Sequence, residues 1–224
     1  MRSAVTLLRR DITQWTFRLK HHKHSHSFTE FTAIADELKQ QFLDEYLEYT
    51  SQVSSPSMAI SLELSAFLYY ICGLIKPNVI LDMGSGFSSY VFRKYQAEEP
   101  SHPIVYSVDD DEPWLNRTAE FLIRHRLSVE HLYKVEQFNS LDQKITADLI
   151  LHDMSNPDIR AKTLPQLIKY CSSTSLIVLD DIQKGIIRPA AVKFIRDRRL
   201  NYFDLRPVLV DEFGRYQWCL FGFA

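Results

Sequence analysis

A short apolar strand runs directly into a glycine turn and a helix near residue 80. Residues 80–90 read ILDMGSGFSSY. Gly84 and Gly86 lack a Cβ, so the backbone of the turn can take positive φ and approach a ligand closely. The free N–H groups that open the next helix face the same crevice and favour an anion there. This pattern predicts the ligand-binding half of a doubly wound α/β fold.

Strand-like and helix-like segments alternate along the chain after this turn. Strands are predicted at residues 78–82, 104–109, 130–136, 147–153 and 175–180. Helices are predicted from about residue 88 and at residues 113–125, 158–171 and 189–199. Pro165 interrupts the third of these helices, which therefore bends or consists of two pieces. Such alternation predicts a parallel sheet with helices on both faces.

The end of the chain has a different pattern. Two strand-like runs, residues 202–210 and 215–223, are separated by the four residues DEFG at 211–214. A short loop that contains a glycine predicts an antiparallel hairpin. The fold class is therefore α/β, with a doubly wound, mostly parallel seven-stranded sheet, a C-terminal antiparallel hairpin and N-terminal helices.

Helical patterns also precede the glycine turn. Residues 27–30, SFTE, form a capping box, and apolar residues then recur at helical spacing to about residue 49. The expected buried face is Phe31, Ile34, Leu38, Phe42 and Tyr46. A second helix is predicted at residues 57–75. We therefore divide the chain into a helical extension or lid, residues 1–56, and a main domain, residues 57–224.

Composition limits the class of protein. The 224 residues have a formal net charge of −2, which argues against wholesale nucleic-acid binding. Three separated cysteines, Cys72, Cys171 and Cys219, suit buried reduced thiols, and the longest nearly apolar run, residues 64–75, is too short to span a bilayer. These features predict a cytoplasmic protein with no transmembrane segment. The basic residues 1–27 fit a transit peptide, a membrane-surface helix or a partner-binding arm, but a basic helix packed on the domain is the favoured interpretation.

Acidic residues end four of the predicted strands. In such a sheet the carboxyl ends of the strands meet at one rim, where ligands bind. The acids expected there are Asp82, Asp109, Asp153, Asp180 and Asp181. Gathering like charges costs free energy unless cations or hydroxyls offset it. Asp109 lies 25 residues after Gly84, near the spacing at which a carboxylate accepts both ribose hydroxyls of a nucleotide.

The sequence around the glycine turn resembles a known family. Residues 76–89, KPNVILDMGSGFSS, are similar to motif I of class I S-adenosylmethionine (SAM)-dependent methyltransferases. Asp109 matches the ribose-binding acid of that family, and the C-terminal hairpin matches its last two strands. The resemblance covers roughly residues 57–224. It implies that the Gly84-Ser85-Gly86 turn holds the methionine part of SAM and that Asp82 faces its ammonium group. It also implies that Asp110 and Asn139 lie near adenine.

Within this family the acids resemble those of catechol O-methyltransferase-like enzymes. Asp153, Asp180 and Asp181 correspond to the metal ligands of that subgroup, with Asp181 in place of an asparagine. Oxygen ligands suit Mg²⁺ or Ca²⁺. The catalytic lysine of the subgroup falls on Asn156, which cannot act as a base. Asp153 and His152 are therefore the candidate catalytic residues, and His152 is the candidate base because an imidazole titrates near neutral pH.

The leading hypothesis is SAM-dependent methyl transfer, metal-assisted or not, to a hydroxyl of a small molecule. One alternative is a nucleic-acid methyltransferase that uses the basic arm and the arginines of residues 196–199. Another is a non-catalytic protein that keeps the fold as a scaffold. A dinucleotide oxidoreductase is disfavoured because Ser89 replaces the third glycine of its motif. A homodimer is left open.

Overall fold

A single seven-stranded sheet organises the chain in the computed structural model, which describes residues 29–154 and 156–223. Its strands are β1 (Val79–Met83), β2 (Ile104–Asp109), β3 (Leu132–Lys134), β4 (Leu149–His152), β5 (Leu176–Leu179), β6 (Asn201–Asp204) and β7 (Trp218–Phe221). The order is β3-β2-β1-β4-β5-β7-β6. The first five strands pair in parallel, while β7 is antiparallel to both β5 and β6. The predicted fold class is confirmed.

Helices connect these strands and precede the sheet. They are α1 (Thr29–Gln52), α2 (Leu62–Ile75), α3 (Phe87–Glu98), α4 (Glu112–Arg124), α5 (Val135–Asn139), α6 (Pro157–Thr163), α7 (Ile187–Arg198) and α8 (Arg206–Leu209). A 3₁₀ helix, Leu164–Tyr170, follows α6. The helical segment around Pro165 thus consists of two pieces, one of the two forms expected of a proline inside a helix.

Successive residues of the strands belong to two apolar cores, one on each face of the sheet. Ile80 and Leu151 pack with the buried side chains of α1 to α4, whereas Leu81 and Ile150 pack with α5, α7 and the 3₁₀ helix. Side chains alternate between the faces of a strand, so a sheet covered on both sides needs apolar residues at every position. This explains the apolar residues that open β1 and β4 and the wholly apolar β5.

The N-terminal helices differ in detail from their prediction. The second one begins at Leu62 and not at residue 57, because Ser61 caps it by accepting the Leu64 amide at 3.1 Å. On α1, Phe31 and Phe42 are buried as expected, but Ile34 is 38% exposed. The capping box at residues 27–30 begins outside the described residues, and the basic segment, residues 1–27, lies wholly outside them. The division at residue 56 stays a prediction.

The C-terminal pair of strands forms, but its connection was predicted wrongly. The strand β6 ends at Asp204, and residues 206–209 form the short helix α8 where the sequence indicated continued strand. Pro207 explains the difference, since it lacks an N–H for a strand ladder but fits the first turn of a helix. The link from β6 to β7 is therefore longer than predicted, although the DEFG segment does turn, since the Gly214 amide donates to the Asp211 carbonyl oxygen at 3.0 Å.

The cysteines form no disulfide bond. Cys72 and Cys219 are buried as predicted, whereas Cys171 is partly exposed. Burial raises the pKa of the Cys219 thiol to about 12 and keeps it protonated. Among the described residues, no helix has the length and apolar character to cross a membrane.

Candidate active site

The glycine turn is tied to the end of β2 by two hydrogen bonds. The amide and the hydroxyl of Ser85 both donate to Oδ2 of Asp109, at 2.7 and 2.9 Å. The other carboxylate oxygen, Oδ1, accepts the Asp111 amide at 3.0 Å. Burial raises the pKa of the Asp109 carboxyl, although these hydrogen bonds act in the opposite direction. Ser85 and Asp109 therefore join two strand ends at the carboxyl rim of the sheet.

Gly84 packs directly against the backbone that leaves β4. Its φ is +120°, and a Cβ on it would lie 2.6 Å from the carbonyl carbon of Asp153 and 2.8 Å from the amide nitrogen of Met154. No side chain fits at such distances, and an L-residue rarely adopts this φ. A glycine is required here so that the turn and the segment carrying Asp153 can touch.

Two aromatic side chains cover the same turn. The Trp114 indole Nε1 donates to the Ser85 carbonyl oxygen at 2.6 Å. The Tyr49 hydroxyl lies 3.4 Å from the place where a Cβ of Gly86 would be, and its ring centroid is 5.5 Å from that of Phe87. Because Tyr49 lies near the end of α1 and Trp114 in the first turn of α4, these two helices close the turn from solvent.

Asp82 is buried on the face of the sheet that α3 covers. Its Oδ1 accepts the Ser88 hydroxyl at 2.8 Å, and its Oδ2 accepts those of Ser89 and Ser107 at 2.6 and 2.9 Å. Burial raises the pKa of this carboxyl to about 6 despite the three hydroxyls. A ligand would reach Asp82 only after some of these groups moved. Its predicted contact with an ammonium group stays a prediction.

The two residues expected near adenine lie in different surroundings. Asp110 is exposed directly after β2 and next to Asp109. Asn139, at the end of α5, accepts hydrogen bonds from Lys169 at 3.1 Å and Tyr170 at 3.3 Å. Those partners lead into the amino end of β5, whereas Asp109 lies at the carboxyl end of β2. Asp110 therefore lies next to Asp109 at the carboxyl rim, whereas Asn139 is bound by side chains near the amino end of β5. The adenine-binding roles of both residues stay predictions.

The three acids of the predicted metal site converge around an arginine. Oxygen atoms of Asp153, Asp180 and Asp181 lie within 4.8 Å of one another. The Arg160 guanidinium, on α6, donates to Asp153 Oδ1 at 2.7 Å and to Asp181 Oδ2 at 2.9 Å. It also donates to the Asp153 carbonyl oxygen at 2.9 Å. Arg160 is only 5% exposed, so the guanidinium is part of the interior of this cluster.

Charge balance in the cluster follows from these contacts and from Lys184. Burial alone would raise the pKa of Asp181, but the Lys184 ammonium at 2.5 Å and the Arg160 charge lower it. Burial and the neighbouring charge of Asp181 raise the pKa of Asp180, which accepts the Gln217 amide at 2.7 Å. Burial also raises the pKa of Asp153 well above its usual range. Two cations thus face three carboxyl groups.

His152, the candidate base, and Asn156, at the position of the subgroup's catalytic lysine, both have structural partners. His152 is buried in β4, where its Nε2 lies 3.1 Å from the Arg160 carbonyl oxygen, and burial lowers its pKa to about 4. Asn156 caps α6 by accepting the Ile159 amide at 3.1 Å. An imidazole with so low a pKa is a weak proton acceptor at neutral pH. The catalytic roles of His152 and Asp153 stay predictions.

Solved methyltransferase structures resemble this chain over most of its length. A candidate O-methyltransferase from Klebsiella pneumoniae superposes with a TM-score of 0.64 at 19% identity, covering 89% of this chain and 100% of its own. The methyltransferase PaMTH1 of Podospora anserina, bound to S-adenosylhomocysteine (SAH), gives a TM-score of 0.63 at 14% identity, covering 91% of this chain and 100% of its own. The SAM-bound O-methyltransferase TomG of Streptomyces achromogenes gives 0.59 at 16%, covering 82% and 88%. The chain has the methyltransferase fold.

Comparison by sequence, by contrast, finds no match: no family model and no curated protein matches the chain. At identities of 12–19% to the similar O-methyltransferase and methyltransferase structures, the likeness establishes the fold and not the activity.

The residues at the glycine turn of this methyltransferase fold suit SAM at the Asp109 end. A carboxylate offers about four acceptor positions, and the three hydrogen bonds described here leave Asp109 room for a ribose hydroxyl. The amides of the turn are engaged within the protein, since Gly84 donates to the Val108 carbonyl at 2.8 Å and Gly86 to the Ser89 hydroxyl at 3.2 Å. Recognition of the cofactor would therefore centre on Asp109.

The acid cluster, as it stands, does not fit a divalent metal. Such an ion needs several oxygen ligands directed at one point, and in proteins carboxylates commonly supply them. Here the point between Asp153 and Asp181 is taken by the Arg160 guanidinium, which donates to both. No step of a reaction is therefore derived through a metal.

Arg160 is the residue of this site that the sequence analysis missed. Its spacing contains a signal, because Arg160, Leu164 and Leu167 recur at helical intervals and both leucines are buried. An arginine on the apolar face of a helix near several acids predicts a buried ion pair. Pro165, which interrupts the helix, obscures that periodicity.

Proposed function

We propose that this protein transfers a methyl group from SAM to a hydroxyl of a small molecule. The observation that carries the proposal is the contact between the glycine turn and Asp109, the acid that matches the family's ribose-binding residue. The amide and the hydroxyl of Ser85 both donate to Asp109 and hold it at the carboxyl rim of the sheet. This is the edge where α/β sheets bind ligands. The proposal is also supported by the likeness to O-methyltransferase structures, of which TomG is described in complex with SAM.

Bound SAM supplies an activated methyl group on a sulfonium leaving group, so the protein's main tasks are alignment and exclusion of water. In this proposal Asp109 accepts one ribose hydroxyl, and Ser85 fixes the direction of its carboxylate. Tyr49 and Trp114 cover the turn and keep water away. Residues 1–56 act as the lid that selects the substrate, an assignment supported by the position of Tyr49 beside Gly86.

The first test is a melting scan with SAH on the wild type and on Asp109→Ala. A ligand at about 100 times its dissociation constant stabilises a protein by about 2.7 kcal/mol. For a chain of this size that raises the melting midpoint by roughly 5–10 °C. We expect this shift in the wild type. Losing a charge-assisted hydrogen bond should weaken binding by about 10–100-fold in the variant.

Two further variants separate binding from folding. Asp109→Asn keeps the size of the side chain and one acceptor for Ser85, although its NH2 then faces the Asp111 amide, so it should perturb the fold less than Asp109→Ala and still bind SAH more weakly. Asp197→Asn removes an exposed carboxylate at the far end of α7 and should leave the shift intact. Equal shifts in all variants would contradict the role of Asp109, whereas no shift in the folded wild type would contradict SAM binding.

A non-catalytic scaffold is the second candidate, because the cofactor turn is filled by the protein itself. Gly84, Ser85 and Gly86 are all buried, and the Trp114 indole occupies the Ser85 carbonyl. This candidate predicts either no SAH binding or binding without methyl transfer to any phenol tested. Trp114→Phe tests whether the indole covers a bound cofactor or blocks its site. If the indole blocks the site, the wild type should bind no SAH and Trp114→Phe should bind it.

Partners and location follow from the same proposal. A small-molecule substrate is supported by the likeness to O-methyltransferase structures. A cytoplasmic location is supported by three cysteines without disulfide bonds. Binding of nucleic acid through the arginines at the end of α7 is not favoured, because Arg196 pairs with Asp197 at 3.1 Å. A homodimer stays a prediction.

A further inference from the structure

The Arg160 guanidinium occupies the acid cluster as an ordered part of the fold. It bridges two strand ends, since Asp153 follows β4 and Asp181 follows β5. Its Nη2 also donates to the Asp153 carbonyl oxygen, and its Nε lies 3.4 Å from the Met154 carbonyl oxygen. Its own carbonyl oxygen lies 3.1 Å from the His152 ring. Backbone and side chain of one residue therefore tie α6 to the rim of the sheet.

We infer that Arg160 is a built-in cation that replaces a divalent metal in this acid cluster, so the protein binds no Mg²⁺ or Ca²⁺ there. A metal could enter only if the Arg160 guanidinium left the cluster, and the guanidinium would then be a buried charge without its carboxylate partners. A planar guanidinium matches two carboxylates as a metal ion would, but it has a fixed position and no exchangeable ligand sites. The cluster is thus closed to substrate oxygens.

This arrangement has a consequence for the substrate, which rests on the proposed methyl transfer. A metal that binds two neighbouring substrate oxygens acts as a template and selects molecules carrying both. With Arg160 in that place, a second adjacent oxygen brings no advantage. The substrate class is therefore a molecule with a single isolated hydroxyl near the methyl group, and a neighbouring diol should be methylated no faster than its mono-hydroxy analogue.

The test measures metal binding directly, without any methyl transfer. Wild-type protein is titrated with Mn²⁺ and followed by electron paramagnetic resonance, and its melting midpoint is recorded with and without millimolar Mg²⁺ or Ca²⁺. We expect no bound Mn²⁺ and no midpoint shift. Arg160→Ala opens the space between the carboxylates, and at about 100 times the dissociation constant a metal should raise its midpoint by roughly 5–10 °C.

Lys184→Ala is the matched control, because it removes a cation from the same Asp181 but one that is 42% exposed. It should gain no metal response. Adding Asp153→Asn to Arg160→Ala should abolish the response that Arg160→Ala gains, which locates the ion. If Arg160→Ala does not fold, Arg160→Gln takes its place. Metal binding by the wild type that Asp153→Asn removes would overturn the inference, as would a folded Arg160→Ala that binds no metal.

The inference about the metal and the proposed function are tested by different measurements, so either can fail without the other. SAH binding by the wild type is measured in the absence of metal and depends on Asp109, not on Arg160. A wild type that binds both SAH and Mg²⁺ refutes the inference and leaves methyl transfer standing. A wild type that binds neither supports the inference on the metal and refutes the function.

Discussion

Asp82 and Arg93, two oppositely charged side chains that the core buries, are joined through the hydroxyl of Ser107. The Arg93 Nη1 donates to Ser107 Oγ at 2.7 Å, and this hydroxyl donates to Asp82 Oδ2 at 2.9 Å. Burial lowers the pKa of Arg93 to about 10 and raises that of Asp82 to about 6. Each ion thus depends on one hydroxyl for part of the hydrogen bonding that water would supply.

Replacing Ser107 by alanine should therefore cost more than a typical serine substitution. It leaves a buried guanidinium and a buried carboxylate each short of a partner, with an expected loss of about 2–3 kcal/mol in the free energy of unfolding. Urea denaturation of the two proteins measures the loss. Ser140→Ala, which removes an exposed hydroxyl, is the control. Equal stability of the two variants would show that Ser107 is not needed to link the ions.

Gly84→Ala should destabilise the fold although it adds only one methyl group. That methyl would lie 2.6 Å from the backbone of Asp153, and the φ of +120° disfavours any L-residue. Strain of both kinds predicts a cost of roughly 3 kcal/mol. Gly185→Ala is the matched control, since nothing lies within 4 Å of its added Cβ. A melting midpoint for Gly84→Ala equal to that of the control would contradict the close approach.

The gathering of the acids could be predicted because it depends on topology alone. Parallel strands that alternate with helices place their carboxyl ends on one rim, so residues that end β4 and β5 must be neighbours. The sequence therefore sufficed to bring Asp153 close to Asp180 and Asp181. It also required that cations or hydroxyls offset their charges, without indicating which ones.

The identity of those groups depends on packing that no local pattern contains. Arg160 and Lys162 are close in sequence, and only the rotation of α6 against the sheet turns the first of them into the cluster. In the same way, nothing in the sequence distinguishes Ser107 from the other serines until β2 is placed beside α3. The helix α8 was missed for a different reason, since strand-forming residues around Pro207 outweighed the proline in the prediction.

Asn156 should prove to be a helix cap and not a catalytic group. Its side chain accepts the Ile159 amide, so Asn156→Ala should lose about 1 kcal/mol of unfolding free energy. Asn156→Asp retains a side-chain acceptor and should keep the stability of the wild type. Thermal melts of the three proteins measure this difference. An alanine variant as stable as the wild type would exclude the capping role.

His152 should make the fold sensitive to acid. Its folded pKa of about 4 lies below the unfolded value of about 6.5, so the unfolded chain binds more protons between these values. The stability that neutral His152 contributes is therefore complete above the unfolded pKa and is lost as the pH falls towards the folded one. His152→Gln removes this titration. Between about pH 7 and about pH 4, the wild type should lose about 2–3 kcal/mol more than the variant does.

The comparison with a variant isolates His152 from Asp82, whose effect has the opposite sign. The raised pKa of Asp82 means that the folded state gains stability as the pH falls through about 6, and this term is the same in both proteins. Urea unfolding at several pH values gives the two stability curves. His102→Gln controls for the loss of an exposed imidazole. Parallel curves for the wild type and His152→Gln would mean that His152 does not titrate as a buried neutral group, and its candidacy as a base would gain support.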